Sequence, residues 1–371
     1  MKMNQMLIYP FDCEFVPFVR HQSLIRDFKL HKLVSPKGWG YKGDACIADY
    51  GDKTGFIVEN DFESAMSECD ALMLVDSKLP LDFDSNIRSK VAAAASEHKI
   101  IYNVRKFDDQ TNDEIKSICE KFNTKINTLK REKEIFASEN PQLFEINTPV
   151  ILVIGLSENT NKFEIELSIT EKFIHDNYKV SLIASRQRCE FLGAHSFPSF
   201  MFDIINDNDK IIYFNHLIKG IEMAEDPDVI VVGLPGGALP INKDFPNGFG
   251  ILTYLVSQAL KPDYVIMSSL YMDYLGNSFT DYYNSINCMI NRKFGFEIDY
   301  HNIANSIIVW NESNEAKELE YMRIDSSFLD KKFEKIYQNQ NFSNILNSNS
   351  LDKLYESIIE KLSDYSKIET V

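Results

Sequence analysis

Continuous aliphatic runs of strand length, each closed by a turn signal, limit this chain more than any other feature. "PVILVIG" (149–155) is the first of them, and "YKVSLIAS" (178–185), "DPDVIVVGLPGG" (226–237) and "PDYVIMSS" (262–269) follow. A half-solvated strand would alternate apolar and polar residues, so an unbroken run indicates a strand covered on both faces. Segments long enough for a helix separate the runs. Strand, helix and strand in that rhythm predict a doubly wound parallel sheet with right-handed crossovers. "ANSIIVWNES" (304–313) reads as a fifth strand.

The first third repeats the pattern less cleanly. "MLIYPF" (6–11), "HKLVSP" (31–36), "TGFIVEN" (54–60), "ALMLVDS" (71–77) and "KIIYNVR" (99–105) read as strands. "FVRHQSLIRDFKL", "DFESAMSECD" (61–70) and "SNIRSKVAAAASEHK" (85–99) read as helices, with Asp61 as a candidate cap. Residues 107–145 are charged and lack Gly and, until position 141, Pro. They read equally well as a helical bridge between domains or as the last helices of the first. The 371 residues therefore divide into a Rossmann-like α/β domain (1–106), a helical bridge (107–147) and a P-loop-like α/β domain (148–371). The Asn- and Ser-rich segment 338–350 reads as a loop, and "SNSLDKLYESIIEKLSDYSK" as an amphipathic terminal helix.

Composition narrows the partners. A formal net charge of −16 opposes general binding to nucleic acid, which depends on cationic contacts to phosphate. No apolar stretch is long enough to span a bilayer and no signal peptide is evident, so the expected location is cytoplasmic. The six cysteines are scattered without a CxxC pair, which argues against a disulfide framework and a closed zinc site. No metal ligand set is expected, and homo-oligomerisation is left open.

The strongest chemical signal is "VILVIGLSENTNKFEIELSI" (150–169). A strand, a glycine turn and a helix N-terminus converge backbone N–H groups on one point, and the helix dipole adds partial positive charge. Lys162 stands where a lysine would neutralise phosphate. The candidate anion-binding residues are Gly155, Ser157, Asn159, Thr160, Asn161 and Lys162, together with Gly236 and Gly237 of the later "VVGLPGG" turn. Asn161 tolerates a left-handed backbone well for a non-glycine residue. Phe163 cannot ligate a metal where a Ser or Thr would hold magnesium, so a nucleotide such as ATP is the expected ligand and magnesium is doubtful.

"SLIASRQRCEFLGAHSFPSFMF" (181–202) follows the second strand of the same domain. On an extended segment Arg186 and Arg188 would share a face and could clamp a carboxylate or phosphate. Cys189, Glu190 and His195 complete a candidate substrate-binding stretch. A Cys189–His195 nucleophile is conceivable, yet no third orienting group is identifiable and a lone Cys is usually a small core residue. No catalytic residue is assigned.

The seven-residue step from Gly155 to Lys162 resembles the loop of dethiobiotin synthetase-like P-loop proteins and of the related DUF1611 family, which read GTDxxVGK[T]. On that pattern Gly155 matches the first glycine, Asn161 the second, Lys162 the lysine and Phe163 the hydroxyl residue. Gly233 takes the place of the glutamate in their "EGxGG" strand end. "GLSENTNKFEIEL…YKVSLIASRQRCEFLGAHSFP" is similar to a family of clostridial peptide-maturation-system proteins. That resemblance implies an accessory role in making a ribosomally synthesised Cys-rich peptide, with the precursor peptide and a radical-SAM enzyme as partners, and with the precursor peptide as the alternative to a nucleotide or other anion near Gly155–Lys162 and Arg186–His195. It supplies no catalytic residues. The alternatives are an ATP- or acyl-donor-dependent enzyme acting on a peptide or small acid, and a non-catalytic scaffold.

Overall fold

The aliphatic runs at 149–155, 178–185, 226–237 and 262–269 become strands buried along nearly their whole length, and the lateral order of those strands determines where a site can form. The structure is a computed structural model that describes residues 3–128, 141–272, 278–309, 319–333 and 342–365. Residues 129–140 of the expected bridge, 310–313 of the expected fifth strand and 338–341 of the Asn- and Ser-rich segment lie outside the described residues.

The chain forms two compact units, Met1–Glu132 with Phe191–Gly193, and Lys133–Glu190 with Ala194–Val371. The first contains β1 (Asn4–Tyr9), α1 (Val16–Arg20), β2 (Phe28–Val34), β3 (Gly43–Asp44), β4 (Ile57–Glu59) and α2 (Phe62–Ser67). It continues with β5 (Ala71–Leu74), α3 (Arg88–Ser96), β6 (Ile100–Asn103), α4 (Asp109–Lys121) and β7 (Ile126–Thr128). Its seven strands lie in the order β3-β4-β2-β1-β5-β6-β7. All pairs are parallel except β3 with β4.

Two expectations change here. The stretch read as one helix from Phe18 yields only α1 and a short 3-10 turn at Gln22–Leu24. From Phe28 the alternation of buried Phe28 and Leu30 around exposed Lys29 imposes a strand period instead. The charged segment after 107 supplies α4 and β7 to the first unit. Ile115 and Cys119, one turn apart, are fully buried in that unit's core, and β7 extends the sheet parallel to β6.

The second unit contains β8 (Val150–Gly155), α5 (Lys162–His175), β9 (Val180–Ala184), β10 (His195–Ser196), α6 (Asp207–Glu225) and β11 (Val229–Gly233). It goes on through α7 (Ile251–Ala259), β12 (Tyr264–Leu270), α8 (Phe279–Phe294), β13 (Tyr300–Ala304), β14 (Ser306–Val309) and β15 (Glu320–Arg323). The described elements end with α9 (Ser326–Phe333), β16 (Phe342–Ser343) and α10 (Ser348–Tyr365). The sheet order is β10-β9-β11-β8-β12-β13-β16, and every pairing in it is parallel. The strand that follows β12 in the sheet is thus 300–304 rather than 304–313. Asn305 breaks the ladder: it is fully buried and its amide donates to the Ile324 carbonyl at 2.9 Å. Residues 306–309 then fold back as an antiparallel hairpin with β15.

Strand β8 lies between β11 and β12, and every one of its residues is buried. Truncating Leu152 to Ala would cost roughly 2–5 kcal/mol at such a site. Helix α5 is covered too: each residue from Lys162 to Thr170 is buried. Beyond the sheet, α10 packs against it through Lys172–Asp352 at 2.8 Å and the Phe173–Tyr355 ring pair at 5.0 Å. Because β9 and β11 lie on one side of β8 and β12 on the other, the carboxyl end of β8 is a topological switch point, where open α/β sheets form crevices. No helix among the described residues is long and apolar enough to cross a membrane.

Candidate anion site

The chain leaves β8 at Gly155, and only glycine fits there. A Cβ at that position would lie 2.5 Å from the Ser157 carbonyl oxygen and 2.8 Å from Lys162 Cδ. Gly155→Ala is expected to destabilise the protein by about 1–3 kcal/mol, and thermal melts check the effect.

The turn closes on left-handed residues. Asn159 has φ 57° and Asn161 φ 58°. Asn161 occupies the N-cap position of α5 without making a side-chain cap bond. Its amide reaches outward and donates to Asn305 Oδ1 at 2.9 Å. Thr160 is buried, its hydroxyl on the Ser157 carbonyl at 3.3 Å, and its own carbonyl accepts from the Ser268 hydroxyl. Asn302 donates to that Ser268 oxygen at 2.7 Å. These bonds use side chains and carbonyls to hold the turn. Among the described residues, no backbone carbonyl accepts from the N–H groups of Glu158, Asn159, Thr160, Asn161 or Lys162. The helical pattern begins with Ile165 N–H to Asn161 C=O at 3.2 Å.

Lys162 is only 8% exposed. Its ammonium folds back over Gly155 and donates to the Gly236 carbonyl. Burial pushes its pKa down to about 8, although Glu166 and Glu158 pull it upward. Gly236 turns on a φ of +77°. A Cβ on Gly237 would lie 2.9 Å from Ser157 Cα, so the two glycine turns touch through bare backbone. The structure thus brings together Gly155, Ser157, Thr160, Asn161, Lys162, Gly236 and Gly237.

A group absent from the sequence reading stands beside them. Glu166, one helical turn after Lys162, is 0% exposed. Its Oε2 accepts from Ser185 N–H at 2.9 Å, while Oε1 has no hydrogen-bond partner among the described residues. Burial raises its pKa, against the opposing pull of Ser185, Lys162 and Arg186. A Cβ on Gly233 would lie 2.1–2.5 Å from this carboxylate. The strand-end position without a side chain is therefore filled by an acid from the helix. The i, i+4 spacing of Lys162 and Glu166 was visible in the sequence, but an acid in a solvated first turn has the same spacing.

Phe163 is buried, and Arg186 stacks over its ring at 4.7 Å. Arg186 is thereby placed next to the first turn of α5. Arg188 does not share its face, because the segment is not extended: Arg188 has φ 64° and the chain bends after β9. The rest of that stretch is tied up locally. Ser196 Oγ donates to Glu190 at 2.6 Å and accepts from Arg188 N–H at 2.6 Å. His195 Nε2 pairs with Glu225 at 2.7 Å. Cys189 is 0% exposed, and burial pushes its thiol well above the usual range, which removes the thiolate a nucleophile needs. In the folded protein, iodoacetamide is expected to alkylate exposed Cys288 and to reach Cys189 only after denaturation. Native-state labelling of Cys189, read by peptide mass, would contradict its structural role. Among the described residues no cluster of three or more His, Cys, Asp or Glu is arranged to hold a metal ion.

One solved structure shares the fold over nearly the whole chain. The chain is similar to a DUF1611 family protein from Anabaena variabilis, with a TM-score of 0.60 at 8% sequence identity, over 96% of this chain and 99% of that one. It also aligns with a Borrelia burgdorferi protein described as a plasmid partition protein and bound to AMPPNP, at a TM-score of 0.29 and 14% identity, over 59% and 99% of the two chains. A signal recognition particle 54 kDa protein from Aeropyrum pernix in complex with GDP gives 0.22 and 14%, over 70% and 57%. The last two scores carry no argument, and the first shows the fold alone. No protein-family profile matches the chain, and no curated protein matches it.

Proposed function

We propose that this chain, folded as a two-domain α/β protein like the DUF1611 neighbour, binds a phosphate-bearing ligand, a nucleotide in the first instance, at the turn from Gly155 to Lys162. One observation carries the reading. The N–H groups of Glu158 to Lys162 are unused by backbone carbonyls in the same turn that holds the buried Lys162 ammonium. Converging amides and a helix N-terminus favour an anion, and a lysine supplies the charge-assisted bond. Arg186, stacked on Phe163, adds a second cation beside the turn.

The reading is one of binding rather than phosphate splitting. A P-loop normally presents magnesium with a hydroxyl after the lysine and an acid at a neighbouring strand end. Here Phe163, buried under Arg186, offers no hydroxyl, and Gly233 offers no side chain; the acid that fills its space, Glu166, is fully buried with its pKa raised by that burial, so the residues present do not fit magnesium in that place. Isothermal titration with ATP, ADP, acetyl-CoA and inorganic phosphate, with and without magnesium, tests the reading. Magnesium-independent binding is expected, and magnesium-dependent turnover of ATP would overturn it.

The cellular role rests on the resemblance of segments 155–167 and 178–198 to peptide-maturation proteins. On that basis the chain is an accessory factor for a Cys-rich precursor peptide and its radical-SAM enzyme. Fluorescence anisotropy of a labelled Cys-rich precursor, with and without ATP, tests it. A peptide whose anisotropy is unchanged at saturating protein would sink this part and leave the anion site standing.

A further inference from the structure

A cavity of about 460 Å³ opens beside the anion turn, within the roughly 300–1,000 Å³ range of small-molecule sites. It begins at Leu156 and Ser157, the first two residues after β8, and at Leu239 of the loop after β11. Leu270 and Tyr271 at the end of β12 and Met289 on α8 continue the wall. Among the described residues that line it, none is charged. It lies at the carboxyl edge of β8, β11 and β12, where the switch-point rule places a ligand.

Two features join this cavity to the turn. Ser157 belongs to both. The hairpin β14–β15, which contributes Ile307 and Ile308 to the wall, follows Asn305, and Asn305 accepts from the Asn161 amide at 2.9 Å. A chamber whose described wall carries no charge, and which shares Ser157 with a turn that holds a buried lysine and amides unused by backbone carbonyls, suits an amphiphile with one anionic end.

Resting on the anion site proposed above, we infer that the ligand is a phosphate monoester or similar anion carrying an uncharged apolar body, whose head sits at Gly155–Lys162 and whose body fills the chamber. A compound charged at both ends is disfavoured, because its second charge would be desolvated among aliphatic and aromatic side chains.

The test is calorimetric titration of the full chain with inorganic phosphate and with butyl, hexyl and octyl phosphate, with hexanol as the uncharged control. Affinity is expected to rise about fourfold per methylene until the chamber is full, the increment for burying a CH₂ group. Met289 is 51% exposed at the rim, so Met289→Trp should fold and narrow the chamber. It is expected to flatten the chain-length series while inorganic phosphate binds as before. Lys162→Met is expected to weaken every phosphate ligand. If phosphate binds but chain length adds nothing, the amphiphile inference falls and the anion site survives. If hexanol binds as tightly as hexyl phosphate and Lys162→Met changes neither, the chamber acts alone and both readings fall. Absence of binding by every phosphate would also overturn both.

Discussion

Lys162→Met is expected to weaken phosphate and ATP binding by about 10- to 100-fold, the loss of one charge-assisted interaction of roughly 1.5–3 kcal/mol. Methionine keeps the aliphatic stem packed, so the fold should persist. The pH dependence separates a binding lysine from a merely packed one. With its folded pKa at about 8, the free protein holds Lys162 charged below that value and neutral above it. A bound anion stabilises the ammonium and raises its pKa, so binding above pH 8 must take up a proton. Affinity is then expected to fall by up to about tenfold per pH unit above 8 until the pKa of the complex is reached. At pH 8.5 the binding enthalpy should vary with the ionisation enthalpy of the buffer. A pH-independent affinity between 7 and 9.5 would exclude Lys162 as the counter-charge.

The same shift governs stability, with the sign opposite to that of a salt-bridged lysine. Unfolding returns Lys162 to its ordinary pKa of 10.5, so between about 8 and 10.5 the unfolded chain binds a proton that the native state does not. The penalty for burying the charge is fully present below 8 and disappears as pH rises to 10.5. Across that window wild type should gain about 3 kcal/mol relative to Lys162→Met, since one pKa unit is roughly 1.4 kcal/mol. Urea unfolding of both proteins at several pH values checks this, and a constant difference would refute it.

Gly233→Ala is expected to destabilise the protein by about 3 kcal/mol, the upper end of overpacking effects. The added methyl would fall 2.1–2.5 Å from the Glu166 carboxylate, which is fully buried and bonded to Ser185. It cannot retreat without breaking that bond or entering apolar core. Glu166→Ala removes the obstruction, so in that background Gly233→Ala should cost less than about 1 kcal/mol. The double-mutant cycle would then show a coupling of at least about 2 kcal/mol. Additive effects would mean that the carboxylate does not occupy the Gly233 space, and that the acid of the helix has not replaced a side chain of the strand.

How much of this was legible beforehand differs by residue. Val150–Gly155 declared itself because a strand covered on both faces has no polar side to show. Gly155, Asn161 and Lys162 declared a turn because backbone sterics and charge act over a few neighbouring residues. Local composition was a poorer guide at 109–121, where a charged surface hid the Ile115 and Cys119 stripe that docks α4 in the first unit. It misled at 186–188, where two arginines looked aligned until the left-handed backbone at Arg188 turned one away from the other.

The chain on its own determined its α/β class, the aliphatic strands of the second sheet and the position of the glycine–lysine turn, because these follow from periodicity and short-range sterics. Only the tertiary structure decided that β12 lies beside β8, that Glu166 fills the space over Gly233, that Lys162 rests on Gly236, and that an uncharged chamber opens at Ser157. Those facts depend on contacts between residues far apart in the chain, and burial, which sets the chemistry of Lys162 and Glu166, exists only once those contacts form.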